Sequence, residues 1–457
     1  MTLARQIAER IHALRYEDIV PGALEWTRHA FIDTVGCTIA GMAEAAPNIL
    51  MRVPGVAEAP GPSLIVGTNR RTSILDATFI NGTASHALDY DDVAGVLGGH
   101  PSAMLVPPLI ALGESLNSSG RELALAYVVG FETMCRIARG VHFHHYDKGW
   151  HPTATIGIFG TVAAAARMLR LSVDDTAAAL GLAASFASGL KANFGTMTKP
   201  GHVGQGTRNG LLAVFMIQQG FSANPGAFEH KQGFLDVFNG PGTYDAARIL
   251  ADWYEPQEAA GLGEPGLKPY PCCGSTHAAI NRMLHLATAH DLKPQDVETI
   301  EAMPHSRRLP HTDNPDPRTP LEAKFSVQYC VARALADRAV KLSDFEGDAH
   351  FDPAIRALMA RVTARPHPDM AGDSKLQWGA EVVVTTKDGR RLASRIDDYK
   401  RIGPGGNPMT QGELWTKFSG CAGRVLPQPQ IAPLFAKLVA IETIGSVREL
   451  TGLLAVA

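Results

Sequence analysis

Leu3, Ile7, Ile11 and Leu14 recur at intervals of three and four, which predicts an N-terminal helix with one apolar face. Ala23 to Met42 continues in the same style. Segments 103–117, 121–139, 155–170, 173–190 and 209–219 are rich in Ala, Leu, Gly and Met and predict further helices. Ser172, with Asp175 three residues on, resembles a capping box for the 173–190 helix. Ile156 to Leu169 is apolar nearly all round, so that helix belongs inside an all-helical core. The many small residues permit close approach between helices.

The pattern changes near residue 255. Glu255 to Pro271 is rich in Gly and Pro and has no helical period, as suits a crossover. Beyond it come a helix at about 276–290, a strand at Val297 to Met303 and a helix at about 322–337. Glu381 to Thr386 and Leu392 to Ile396 flank Lys387-Asp388-Gly389, a hairpin signal in which the glycine can adopt positive φ. Pro404 to Pro408 is a turn cluster, and the tail beyond 410 returns to helices. The expected class is mainly α: a large all-helical domain (1–265) with an inserted smaller α+β lid domain (266–403), the tail (404–457) rejoining the first. No internal repeat or low-complexity tract interrupts this order.

Composition narrows the function. The chain has 457 residues, 42 basic against 45 acidic, and a net charge of -3. That balance lacks the basic surplus of a nucleic-acid binder. An apolar fraction of 45% and a charged fraction of 19% exclude wholesale disorder. No apolar run reaches the roughly 18 residues of a membrane span, and Met1 to Glu9 has no unbroken apolar core, so no secretory signal is read there. A cytoplasmic enzyme is expected. Cys37, Cys135, Cys272, Cys273, Cys330 and Cys421 form no C-x-x-C pair, and reduced thiols are expected.

Some motifs fail on context. Gly261, Gly263 and Gly266 match G-x-G-x-x-G, but no apolar strand precedes them, no helix follows directly and Pro265 lies inside. There is no phosphate-loop lysine, no H-E-x-x-H and no G-x-S-x-G. His142, His144 and His145, with Asp147, match no established metal-ligand spacing and read as a solvated loop; no metal site is expected.

Four polar segments stand out between the apolar helices. The first runs from Asn81 through His86, Asp89, Asp91 and Asp92 to His100-Pro101, where carboxylates beside imidazoles can orient a general base. The second is Gly149-Trp150-His151-Pro152-Thr153 and the third Thr196 to His202, with Lys199. The fourth is Lys268-Pro-Tyr-Pro-Cys-Cys-Gly-Ser-Thr-His277, where Ser275 or Thr276 is a plausible N-cap and the lysine lies near a helix start, a ready anion site. Cys272 or Cys273 is a candidate nucleophile, although a thiol lining a pocket suits the absence of an Asp or Asn partner better. Titratable residues on loops at helix starts suit a small substrate with two or three carboxylates. Proton abstraction beside a carboxylate needs a base and nearby cations, and imidazoles with two lysines supply both.

At these segments, and at Ala323 to Tyr329 and Asn407-Pro408-Met409, the chain resembles the MmgE/PrpD family. That family includes 2-methylcitrate dehydratase, cis-aconitate decarboxylase and iminodisuccinate epimerase. The resemblance implies a helical domain with an α+β lid, a homodimer, and catalysis without metal or organic cofactor. It implies catalytic roles for Asp89, His100, His151, Lys199 and Lys268; His86, Tyr146, Cys273 and Ser275 are expected to bind substrate. Cys273 stands where the decarboxylase branch has a second histidine, and Val93 where it has a threonine; the Asp89-to-His100 interval is one residue longer. Arg139 to Gly160 is most similar to the epimerase branch. The expected activity is therefore proton abstraction α to a carboxylate, most simply epimerisation of an iminodisuccinate-like substrate, with the family's lyase reactions as the alternative. Two other classes fit the same residues: a silent carboxylate sensor and a hydrolase using Cys273.

Overall fold

The computed structural model describes residues 1–372, 374–404 and 406–456; Gly405, in the Pro404–Pro408 turn cluster, lies outside them. The chain forms two compact units. The first comprises Met1–Asn193, Met197–Leu267 and the chain from Arg401 onward; the second comprises Phe194–Thr196 and Lys268–Lys400. As the sequence pattern predicts, the protein is mainly α with a small sheet.

In the first unit the helix Leu3–Ala13 turns Leu3, Ile7 and Ile11 into the core, with Leu14 just beyond its end. Ser172 caps the helix Val173–Phe186, its Oγ accepting from the Asp175 amide at 3.0 Å. That helix stops before residue 190. The chain leaves helical geometry at Ala187, and Gly189 at φ +135° takes a conformation open mainly to glycine. The helix Gly157–Met168 is buried from Gly157 to Ala166.

A larger correction concerns the helix expected at 209–219, which runs over Thr198–Gln218. Gly201, Gly204, Gly206 and Gly210 lower its local propensity, but packing decides. A Cβ at Gly204 would run into the Phe79 carbonyl and the Thr83 hydroxyl, and one at Gly82 would lie 2.7 Å from Thr207 Oγ1. The helices Ile74–Ala87 and Thr198–Gln218 thus meet backbone to backbone, and Lys199 lies in the first turn of a helix, not on a loop before one.

The second unit holds a four-stranded sheet in the order 362–364, 297–304, 380–386, 391–396. The strand Val297–Pro304 pairs parallel with Val362–Ala364 and antiparallel with Ala380–Thr386, Ile300 facing Val362 on one side and Val384 on the other. Ala380–Thr386 and Arg391–Ile396 form the hairpin, with Gly389 at φ +85° in its turn. Helices His277–Ala289 and Val327–Asp337 contribute Ile280, Met283 and Val331 to the core that holds Ile300, Val382 and Val384. Among the described residues no helix is long and apolar enough to cross a membrane.

Candidate active site

The site is built where the helix Ile74–Ala87 ends. His86 closes its last turn, and Asp89 then takes φ +53°, a left-handed conformation that aspartate tolerates better than most residues. The reversal sets Asp91 and Asp92 facing inward, both fully buried. Val93–Ala94 pairs with Pro265–Gly266, so the rejected glycine motif serves as a strand that pins this turn. The chain then enters the helix Pro101–Leu116 with His100 at its N-cap and proline in its first turn. Asp92 covers that helix start, accepting from the Ser102 amide at 3.1 Å and from its hydroxyl at 2.5 Å. Ser102 also meets the Tyr127 hydroxyl at 2.8 Å, and Trp26 Nε1 donates to Tyr127 at 3.0 Å.

Asp91 is shared by two imidazoles. His86 Nδ1 lies 2.8 and 2.9 Å from its two oxygens, and His100 Nδ1 lies 3.2 Å from Oδ2. A carboxylate only accepts, so both rings place Nδ1–H toward it. His100 Nε2 lies 3.7 Å from Asp89, and Lys199 Nζ donates to Asp89 at 2.5 Å. The His86 ring centre stands 4.3 Å from that of His100 and 6.0 Å from that of His151. His151 Nδ1 meets His202 Nδ1 at 3.2 Å. Thr153 accepts from the His100 amide, and the His151 amide donates to Gly189, which fixes the two loops.

Burial governs the protonation states. It pushes His86 down to about 3, only partly offset by Asp91. It holds His151 well below the usual range, helped by the Lys199 ammonium. Burial pushes the Asp91 carboxyl up, but His86 and His100 outweigh it and hold that group well below the ordinary carboxylate range. Asp92 goes the other way, raised by burial with only Ser102 opposing. His86 and His151 are therefore neutral, and Asp91 is ionised.

One consequence is acid lability. His86 and His145 are pushed down to about 3 and His142 to about 4, while each takes a proton near the ordinary histidine value of 6.5 once unfolded. Above that pH neither state binds the proton. Below it the unfolded chain binds protons that the fold refuses, so stability falls as pH drops from 6.5 toward the folded values. Near about pH 5 each such group costs about 2 kcal/mol. The urea midpoint should fall steadily from pH 7 to pH 5, and a flat profile would contradict these burial effects.

His86, Asp89, Asp91 and His100 offer ligand atoms that all lie within 4.8 Å of one another. The donor types suit a zinc-like ion. However, His86 Nδ1 already faces Asp91, and a divalent ion would have to share Asp89 with the Lys199 ammonium. The arrangement favours proton handling over metal binding.

Of the residues chosen from sequence, His86, Asp89, His100, His151 and Lys199 meet in this cluster. Tyr146 lies on the short helix His144–Asp147. Its ring lies under the Lys191 ammonium, 3.4 Å away, and beside Gly98. Lys268, Cys273 and Ser275 lie in the second unit. There Lys268 passes Gly274, Ser275 Oγ meets His311 Nε2 at 2.9 Å and the Cys273 amide donates to Lys324. Thr276 stands at the N-cap of His277–Ala289 without a side-chain capping bond; its hydroxyl donates to Cys273 O instead. His145 is not solvated as expected: it is fully buried, bonded to Asn239 and Thr155 and set among Trp150, Phe234 and Phe238. His202 and Ser102 were not singled out, and only His202's place beside the Lys199 motif signalled it.

Residues 5–247 match the model of the MmgE/PrpD N-terminal domain, and residues 270–436 match that of the MmgE/PrpD C-terminal domain. The chain is 27% identical to a cis-aconitate decarboxylase of Homo sapiens, covering 99% of this chain and 94% of that one. It is 28% identical to that of Mus musculus, covering 99% and 93%. A mitochondrial 2-methylcitrate dehydratase of Yarrowia lipolytica is 22% identical, covering 95% and 86%. The chain is an enzyme of the MmgE/PrpD family.

Proposed function

We propose that the chain is a lyase of a small tricarboxylate, acting as a cis-aconitate decarboxylase or, in second place, as a dehydratase of a 2-methylcitrate-like hydroxy acid. The observation that carries this is the Asp91 carboxylate shared by two buried imidazoles beside the Lys199–Asp89 pair. Similarity to cis-aconitate decarboxylases over nearly the whole chain supports a lyase over epimerisation of an iminodisuccinate-like acid.

In decarboxylation the bond to the departing carboxylate breaks and carbon dioxide leaves. Its electron pair moves through the neighbouring double bond, and the far carbon takes a proton. His100 delivers that proton, or His151 does once the carboxylates of the bound substrate have drawn a proton onto it. Asp91 fixes the hydrogen of His100 on Nδ1, and an imidazolium formed there would sit between Asp89 and Asp91. Lys199 offsets substrate charge. In dehydration the same base takes the proton α to a carboxylate and returns it to the departing hydroxyl, which leaves as water. Lys268 and Ser275 are carboxylate-binding candidates within the second unit, Tyr146 one within the first, and the thiol of Cys273 a contact to substrate. The homodimer that the family resemblance implies belongs to the same proposal and is measured by sedimentation.

The test is incubation with cis-aconitate, 2-methylcitrate and iminodisuccinate in D₂O, followed by NMR. Carbon dioxide release with one deuteron in the product is the expected result, and water loss from 2-methylcitrate selects the second lyase. Exchange at the α carbon of iminodisuccinate with no net loss would return the epimerase. No turnover or exchange with any of them would overturn the lyase reading and the epimerase with it.

A further inference from the structure

Lys417 lies on the helix Gln411–Ala422, in the part of the first unit that follows the second. It is buried, and its ammonium meets Asp33 Oδ1 at 2.5 Å, the Tyr90 carbonyl oxygen at 2.7 Å and the Tyr90 ring face at 3.9 Å. Asp33 is itself buried, within the helix Pro21–Gly41. Tyr90 stands between Asp89, which is in the left-handed conformation, and Asp91, which holds both imidazoles. A non-glycine residue in that conformation persists only where its surroundings over-determine it. The peptide carbonyl one residue on is tied down by a charged donor, and the donor is tied by Asp33. Burial alone would lower the lysine, but Asp33 holds it above its ordinary value, so the charge persists.

We infer that Lys417, held by Asp33, is a positioning residue for the Asp89–Asp91 turn. It touches no reacting atom. By fixing the Tyr90 carbonyl it sets where the Asp91 carboxylate stands, and so how His86 and His100 present their Nε2 atoms. This rests on the proposed lyase site, but its structural half does not need turnover to be read.

Removing Lys417 alone strands a buried carboxylate and tests only stability, so the pair is removed together. Replacing both partners of a buried pair is often neutral in stability. Asp33→Asn/Lys417→Met is expected to keep Tm within about 5 °C of wild type. It should lose about 30- to 100-fold in kcat with KM changed less than about threefold, since small misplacements of catalytic groups are costly. The His86 and His100 Nδ1–H proton resonances are expected downfield in the wild type, where both face Asp91, and should broaden or move in the variant. Asp33→Asn/Lys417→Gln restores a neutral donor toward Tyr90 O and should recover about tenfold in kcat together with those resonances.

A stable Met double variant with wild-type kcat and wild-type imidazole resonances overturns the inference. If the wild type turns over none of the acids, the lyase assignment fails and the resonances alone decide the positioning role. If the Met double variant does not fold, Lys417→Arg takes its place. Its planar fork keeps the charge beside Asp33 but aims its donors differently. The same fall in kcat and the same shift of the resonances are expected, and a folded Arg variant with neither overturns the inference.

Discussion

Asp91→Asn is expected to lower kcat about a thousandfold or more, the scale set by removing the carboxylate that fixes a catalytic imidazole's tautomer. The effect should exceed that of a single lost hydrogen bond because one carboxylate serves two rings. Asn presents an amide whose N–H₂ donates. One imidazole can keep Nδ1–H toward the amide oxygen, but the other meets a donor and must turn its Nδ1 lone pair to it, moving its hydrogen to Nε2. That ring can then no longer accept a proton on the side away from Asp91. The volume hardly changes, so substrate binding by calorimetry should stay within a few fold. Steady-state kinetics with the substrate found in the D₂O screen decide the matter. A loss below tenfold would mean that Asp91 does not set the tautomers.

Lys199→Met carries the second large effect, on stability and activity together. Asp89 is 4% exposed and receives the Lys199 ammonium at 2.5 Å. Removing one partner of a buried pair typically costs about 3–5 kcal/mol, because the other charge stays out of water. Urea unfolding should show that loss. Asp89→Asn/Lys199→Met should recover most of it, since no stranded carboxylate remains. Activity should stay low in both variants, by about a hundredfold or more, because the cation that offsets substrate charge is gone. A single Met variant as stable as wild type would show that Asp89 does not depend on this ammonium. A double variant with full activity would remove Lys199 from the chemistry.

The parts of the fold legible in the sequence were those set by local pattern. The Leu3/Ile7/Ile11 face, the Ser172 cap and the turn at Gly389 each depend on residues within a few positions. The start of the helix at Thr198 was not legible, because its glycines argue locally against a helix and are needed only by the backbone of Ile74–Ala87. The same distinction holds for the candidate site. His86 and Asp91 are five residues apart and could be paired by eye. His151 and His202 are 51 apart, and Asp89 and Lys199 are 110 apart. The motifs named most of these side chains, but which faced which depended on helix packing. Lys417 carried no signal, since a lysine in an amphipathic tail helix ordinarily faces water.

The separation between Tyr90 and Lys417, 327 positions, also has a meaning in time. At about 5–20 residues per second, a ribosome needs on the order of tens of seconds to pass from one to the other, and it makes the whole second unit in that interval. Throughout it the nascent first unit carries Asp33 without its ammonium and the 89–91 turn without its anchor. A chain released before residue 417 is therefore a client for chaperones, not a smaller enzyme. Maturation of this catalyst waits for the helix Gln411–Ala422.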